Sequence, residues 1–214
     1  MNENPNLSGI IKEIDQYYTA KVSEFGATPK GVDWNSSESQ EIRFKQLSNI
    51  INLEKDFSVL DYGCGFASMY NYLSGRFTDF NYTGYDISAE MIRKAIELNV
   101  DNKNFFVIQN EKKLFESSFN FAVASGVFNV RLNNNSELWQ QYIESEVEKL
   151  NALSSHGFSF NMLTKYSDPE YCKDYLHYAD PEFWFARCKS LYSRNVSLLH
   201  DYDLYEFTII VRKK

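Results

Sequence analysis

The chain has 214 residues, 43% of them hydrophobic and 16% aromatic, and this length suits a single domain with a sizeable core. Its formal net charge is −7 and no block of lysine and arginine is present, so the composition argues against nucleic acid as a substrate. Three cysteines lack metal-ligand and disulfide spacing, and the sequence shows neither a leader peptide nor a membrane-spanning apolar run. We therefore expect a cytoplasmic enzyme without a metal site.

Residues 1–56 precede the first predicted strand and carry two helical patterns. Apolar residues recur at helical spacing over residues 7–25, and a second helix is predicted over residues 37–51. A loop containing Trp34 joins the two. We therefore predict a helical N-terminal segment ahead of an α/β domain that spans residues 57–214.

Residues 57–73 combine a strand, an acid, a glycine turn and a helix. Residues 57–60 form a short apolar run typical of a buried strand, and the run ends at Asp61. Gly63 and Gly65 then form a turn in which a ligand can approach the main chain closely. This succession is typical of a nucleoside-binding site in an open α/β sheet.

A second strand-like run, residues 82–85, ends in another acid, Asp86. It follows the glycines by about twenty residues, the separation at which a ribose-binding carboxylate is found in such a unit. Asp86 has acceptor oxygens for both ribose hydroxyls, and Ile87 would then lie against adenine. Ser88 is a suitable N-cap for a helix over residues 89–98, so it has a structural explanation.

The pattern D-x-G-x-G-x-A over residues 61–67 resembles the first motif of class I S-adenosylmethionine-dependent methyltransferases, with Ala67 where many members have a third glycine. DISAEMIRKA, residues 86–95, resembles the second motif closely. A nicotinamide oxidoreductase is disfavoured because Ser68 stands where its third glycine belongs. An ordinary α/β sheet with two acidic strand ends is the structural alternative.

The resemblance extends over residues 57–212 and implies a fold. It implies an α/β protein with a doubly wound, seven-stranded, mostly parallel Rossmann-like methyltransferase sheet and an antiparallel last strand. Further strands are predicted over residues 104–108, 119–125, 157–163, 195–200 and 204–212. Helices are predicted over residues 137–153, capped by Ser136, and over residues 181–192, with proline at the first position.

The resemblance also implies the cofactor S-adenosylmethionine, with S-adenosylhomocysteine as product. The cofactor-binding residues that we predict are Asp61, Gly63, Cys64, Gly65, Asp86, Ile87, Met91, Asn110, Ser125, Gly126, Arg43 and Tyr18. Asn110 stands where the family often places an aspartate that holds the exocyclic amine of adenine. Arg43 would pair with the methionine carboxylate of the cofactor, unless it is an ordinary surface arginine.

The acceptor pocket is predicted between two segments, of which the resemblance places only the first over the cofactor; the second is interpreted as a lid because it is rich in tyrosines. One is the helical cap of residues 1–56, and the other is an aromatic lid over residues 165–179. The pocket residues that we predict are Trp34, Phe128, Asn129, Tyr166 and Tyr178. The expected acceptor is a small polar molecule, methylated on a hydroxyl, amine or carboxylate of a metabolite or sugar, by a monomer or homodimer.

Two histidines are candidate catalytic bases for a hydroxyl acceptor. His200 ends the sixth predicted strand beside Asp201, and His177 lies in the lid, whereas His156 precedes a strand at the wrong end of the sheet. The structural alternative for His200 is a strand-end cap, and an amine or carboxylate acceptor needs no base.

Two functional alternatives stay open. One is an enzyme of the same fold that uses a nucleoside cofactor but transfers no methyl group, such as a decarboxylative or aminopropyl-type relative. The other is a regulatory protein that keeps the pocket without activity, which the intact Gly63, Gly65 and Asp86 disfavour.

Overall fold

A computed structural model describes residues 5–32, 36–99 and 103–214 of the chain. Trp34, predicted to line the acceptor pocket, lies outside the described residues. The strands are β1 Phe57–Tyr62, β2 Phe80–Tyr85, β3 Phe105–Ile108, β4 Phe119–Ala124, β5 Ser154–Leu163, β6 Asn195–Leu199 and β7 Glu206–Arg212. The helices are α1 Pro5–Phe25, α2 Ser37–Ser48, α3 Ser68–Ser74, α4 Ala89–Leu98, α5 Glu111–Leu114, α6 Ser136–Leu153 and α7 Pro181–Leu191.

The seven strands form one sheet in the order β3-β2-β1-β4-β5-β7-β6. Pairing is parallel from β3 through β5, whereas β7 runs antiparallel to both β5 and β6. The tight connection over residues 200–205 explains this direction, because β7 returns beside β6 as a hairpin partner. The predicted doubly wound sheet with an antiparallel last strand is confirmed.

Apolar side chains alternate between the two faces of the sheet, and helices cover both. On one face, Leu60 and Phe160 pack with Trp139 of α6 and Trp184 of α7. On the other face, the side chains from β1, β2 and β4 pack with α2 and α3. Burial on both faces is the arrangement expected of a parallel sheet, and it leaves the strand ends free to form a site.

Several predicted boundaries shift by a few residues. The residue that caps α6 is Asn135 rather than Ser136, because the Asn135 side chain accepts from the backbone amides of residues 137 and 138. Strand β5 begins at Ser154, directly after α6, and not at Gly157. Helix α2 ends at Ser48. None of the described helices is both long and apolar enough to cross a membrane.

A buried ion pair joins α2 to the last strand of the sheet. Arg43 Nε donates to Glu206 Oε1 at 2.9 Å and Oε2 at 2.8 Å, and Arg43 Nη2 donates to Oε1 at 2.6 Å. Both side chains are almost wholly buried. The surface alternative for Arg43 is therefore wrong, and its guanidinium binds a carboxylate of this chain.

Removal of Arg43 should destabilise the protein strongly. Arg43→Ala leaves the Glu206 carboxylate buried without its counter-ion, and we expect the free energy of unfolding to fall by about 3–5 kcal/mol. Urea denaturation measures this change. The matched control is Arg93→Ala, which removes an exposed ion-paired arginine of α4 and should change stability little. Similar losses in both variants would contradict the structural role of the pair.

Candidate active site

A cavity of about 1380 Å³ opens at the carboxyl ends of the parallel strands. The predicted cofactor residues that line it are Tyr18, Arg43, Asp61, Gly63, Cys64, Gly65, Asp86, Ile87, Met91, Ser125 and Gly126. The predicted acceptor-side residues that line it are Asn129, Tyr166, Tyr178 and His200. One cavity is thus lined by side chains from α1, α2, the strand ends and the segment between β5 and α7. Open α/β sheets bind ligands at this edge, beyond the carboxyl ends of the strands.

The glycine turn is held against the end of β2. The backbone amides of Gly63 and Cys64 both donate to the carbonyl of Tyr85, at 2.7 and 2.9 Å. Gly63 and Gly65 have φ values of 76° and 52°, the left-handed region that favours glycine. A Cβ at Gly63 would lie 2.5 Å from Val127, so a side chain there would collide with the loop after β4.

Asp86 connects the glycine turn to the start of α4. Its Oδ2 accepts from the Gly65 amide and its Oδ1 from the Ser88 amide, both at 2.9 Å. Each carboxylate oxygen keeps a further lone pair for a ligand donor. Burial raises the pKa of Asp86 to about 6, although the amides of Ser88 and Gly65 oppose this rise. Ser88 also caps α4, as predicted, by accepting from the amide of Met91.

Asp61 lies deeper, inside β1, and is held by a tyrosine of the neighbouring strand. The hydroxyl of Tyr82 donates to Asp61 Oδ2 at 2.6 Å. Burial raises the pKa of Asp61 to about 7, partly offset by this hydrogen bond and reinforced by the charge of Asp86. The two motif acids thus differ in setting, since Asp86 is bound by main-chain amides and Asp61 by a phenol.

The loop after β4 forms the central wall of the cavity. Gly126 donates its amide to Asn161 Oδ1 at 2.8 Å, and Asn129 Oδ1 accepts from the amide of Leu163 at 3.0 Å. Within the described part of the chain, the buried Ser125 Oγ has no hydrogen-bond partner. Phe128 was wrongly predicted as a pocket residue: its ring packs in the core against Phe160 and does not line the cavity.

The prediction that Asn110 lines the cofactor site is also wrong. Its side chain accepts from the amides of Lys112 and Lys113 and so caps α5, outside the cavity lining. The next residue, Glu111, lines the cavity instead. Lys149 Nζ lies 2.6 Å from Glu111 Oε1. Sequence reasoning missed this acid by one position, although an acid shortly after an expected strand end was the available signal.

The segment predicted as a lid borders the cavity. The rings that line it there are Tyr166, Tyr171, Tyr175 and Tyr178. Backbone hydrogen bonds from Arg131 and Leu132 to the Tyr175 carbonyl tie this segment to the loop after β4. The hydroxyl of Tyr166 donates to Glu182. With its hydroxyl held there, the Tyr166 ring lies at the mouth of the cavity.

The two candidate histidines have different surroundings. His200 is exposed and lines the cavity, with its ring 6.1 Å from that of Tyr166, but no hydrogen bond joins it to Asp201 among the described residues. His177 does not line the cavity: its backbone amide donates to the Asn129 carbonyl, and its ring is mostly buried. Burial lowers the pKa of His177 to about 4, so its ring is neutral near pH 7.

Comparisons with known proteins agree with this geometry. A family described as "Methyltransferase domain" matches residues 59–145. A Mycobacterium tuberculosis protein named "Putative methyltransferase Rv1506c" is 45% identical over 164 residues, which are 77% of this chain and 98% of the relative. The chain belongs to the methyltransferase family.

Solved methyltransferase-fold structures share the architecture. The DhpI complex with SAM and HEP has a TM-score of 0.65 at 18% identity, covering 96% of this chain and 98% of DhpI. Magnesium protoporphyrin IX methyltransferase ChlM from Synechocystis PCC 6803, with bound SAH, has a TM-score of 0.62 at 10% identity, covering 97% of this chain and all of that chain. At these identities the likeness shows the fold.

The pH dependence of stability should reflect the protonation of the buried Asp61 in this methyltransferase. Its pKa is about 7 in the folded state, against 3.8 in the unfolded chain, so the folded state binds more protons between these values. Stability therefore falls as pH rises through that window, by up to about 4 kcal/mol from this group. Asp61→Asn should flatten the decline in urea denaturation between about pH 4 and pH 7, since its amide oxygen still accepts from Tyr82.

The matched control for this experiment is Asp79→Asn, at an exposed position before β2. We expect it to keep the pH profile of the unchanged protein. Identical profiles for the unchanged protein and Asp61→Asn would contradict the elevated pKa of Asp61.

Proposed function

We propose that this methyltransferase uses S-adenosylmethionine to methylate a small polar acceptor, on a hydroxyl, amine or carboxylate of a metabolite or sugar. The observation that carries the proposal is the placement of Asp86. Its carboxylate is held by the Gly65 amide at the glycine turn and lines the cavity beside Ile87. An acid fixed in this position suits the two hydroxyls of a ribose.

The described residues fit such a cofactor along its length. Asp86 would bind the ribose, and Ile87 would contact the adenine ring. Glu111 takes the role first assigned to Asn110, because a carboxylate accepts from the exocyclic amine of adenine. The buried Ser125 hydroxyl, which has no partner among the described residues, would donate to or accept from the methionine portion.

In methyl transfer the protein itself carries out little covalent chemistry. When bound, S-adenosylmethionine supplies an activated methyl group on a sulfonium. The protein excludes water and aligns the acceptor atom, and its tyrosine-lined segment at the cavity mouth suits that purpose. Because the cavity lies between the helical N-terminal segment and this lid, it favours a small acceptor over a macromolecule.

His200 is the base that we propose for a hydroxyl acceptor. It lines the cavity at the end of β6, where its ring centroid is 6.1 Å from that of Tyr166. It is also exposed enough to exchange a proton with solvent. His177 is a weaker candidate because it does not line the cavity. For an amine acceptor presented in its neutral form, no base is required.

Asp86→Ala should weaken binding of S-adenosylhomocysteine. The lost ribose hydrogen bonds are charge-assisted, so we expect a decrease of about 1.5–3 kcal/mol, or roughly ten- to a hundredfold in Kd. Isothermal titration calorimetry measures it, with S-adenosylmethionine and NAD titrated into the unchanged protein for comparison. Asp79→Ala, an exposed acid before β2, is the control.

Either of two results would count against this assignment. Unchanged affinity in Asp86→Ala would remove Asp86 from the ribose site. Failure of the unchanged protein to bind either sulfur nucleoside, or preferential binding of NAD, would reject the proposed cofactor.

His200→Ala should lower turnover without loss of cofactor affinity. Acceptors are first identified by release of S-adenosylhomocysteine from mixtures of sugars, amines and carboxylic acids. With a hydroxyl acceptor, loss of a general base costs roughly a hundred- to ten-thousandfold in turnover. His156→Ala, at the opposite end of the sheet, is the control. Equal loss of turnover and cofactor affinity, or no loss of either, would return His200 to a structural role.

A further inference from the structure

Strand β3 forms one edge of the sheet and pairs with β2 in a regular register. The amide of Tyr82 donates to the carbonyl of Asn104 at 2.9 Å, so the main-chain groups of residues 104, 106 and 108 face β2. Those of Phe105 and Val107 face outward, because backbone groups alternate in direction along a strand. No described residue bonds these outward amides and carbonyls. The edge is therefore open to a further strand.

Large apolar side chains flank this open edge. Phe106 is 54% exposed and lies on the opposite face from Phe105, whose ring stacks on that of Tyr82. Helix α4, which contacts β3, exposes Ile96 and Leu98. Edge strands are normally protected by lysine, proline or a bulge, and β3 has none of these. The described residues of the other edge strand, β6, expose no large apolar side chain.

The outward groups of β3 match those of a second copy of the same strand. In an antiparallel pair centred on Phe106, Phe105 of each copy lies opposite Val107 of the other, and these two pairs exchange four main-chain hydrogen bonds. Phe106 then lies opposite Phe106 of the second copy, with the two Cα atoms about 4.5 Å apart. Registers centred on Phe105 or on Val107 would make only two such bonds within the strand.

The charges at this edge are complementary to those of a second copy. Residues 104–110 carry no charge although the chain has a net charge of −7, so two copies can approach here without direct repulsion. The register centred on Phe106 places Lys103 opposite the neutral Gln109. Helix α4 carries acids outside and bases between, at Glu90, Arg93, Lys94 and Glu97. The same two-fold axis sets α4 antiparallel to its counterpart, which brings the acids of one helix toward the bases of the other.

We propose that this protein forms a two-fold symmetric dimer through antiparallel pairing of β3 about Phe106, which joins two seven-stranded sheets into one. The pairing covers the exposed Phe106 ring and satisfies the outward main-chain groups of the edge. No described residue from 103 to 110 lines the cavity, so the dimer leaves both active sites open. This inference is independent of the proposed cofactor and acceptor.

The first experiment measures the oligomeric state. Size-exclusion chromatography with light scattering, at protein concentrations up to about 100 μM, should give twice the mass of one chain. Phe106→Lys sets two ammonium groups across the axis and should raise the dissociation constant of the dimer by at least about tenfold. Phe183→Lys, at an exposed ring on α7, is the matched control and should remain a dimer.

A second experiment tests the register by cross-linking. In a Cys172→Ser background, which removes the exposed cysteine, Phe106→Cys should form an intermolecular disulfide on oxidation, because the two Cα atoms lie within disulfide range. The buried Cys64 and Cys188 stay in place. Asn104→Cys, on the same face and strand, is the control: in this register its two copies are about 13 Å apart, too far to be bridged.

Every outcome decides the proposal. A dimer that is lost in Phe106→Lys, kept in Phe183→Lys and cross-linked through Phe106→Cys supports it. A monomer at all these concentrations overturns it, and so does a dimer that Phe106→Lys leaves unchanged. Absence of a cross-link in Phe106→Cys, or a cross-link in Asn104→Cys instead, overturns the pairing about Phe106. If Phe106→Lys does not fold, as thermal unfolding would show, the cross-linking result decides.

Discussion

The Asp86 carboxylate is the interaction on which the site depends. One oxygen accepts from Gly65 in the turn after β1, and the other accepts from Ser88 at the start of α4. The carbonyl of Tyr85 accepts two amides from the same turn. These contacts join the ends of two neighbouring parallel strands, so the glycine turn, the ribose acid and the first turn of α4 are fixed as a unit.

A second network organises the opposite side of the cavity. Arg43 on α2 binds Glu206 of β7, Glu206 accepts from Asn161 of β5, and Asn161 accepts the amide of Gly126 after β4. The N-terminal segment is thereby connected to the wall expected to face the transferred methyl group. Because these polar groups are buried and hydrogen-bonded to one another, loss of one member would disturb the others.

Local sequence patterns predicted the sheet and the two motifs well. They failed where the direction of a single side chain decides whether a residue lines the cavity. Asn110 was predicted in the cofactor site, yet neighbouring residues after a strand point in different directions, and only the cap of α5 shows that Asn110 turns away and that Glu111 lines the cavity. Phe128 lies beside pocket residues in sequence, but its ring turns into the core. Arg43 could not be paired from sequence because its partner is 163 residues away.

The sequence by itself determined the fold class, the antiparallel last strand implied by the family resemblance, and the residues at the glycine turn and at Asp86. These depend on local signals: apolar periodicity, glycines in a turn after a strand, and acids at strand ends. Only the tertiary structure decided that Glu111, Lys149, Glu146 and Tyr62 meet on one wall, and that His200 lines the cavity while His177 does not. Contacts between distant segments arise from how helices pack on the sheet, and no local pattern encodes that geometry.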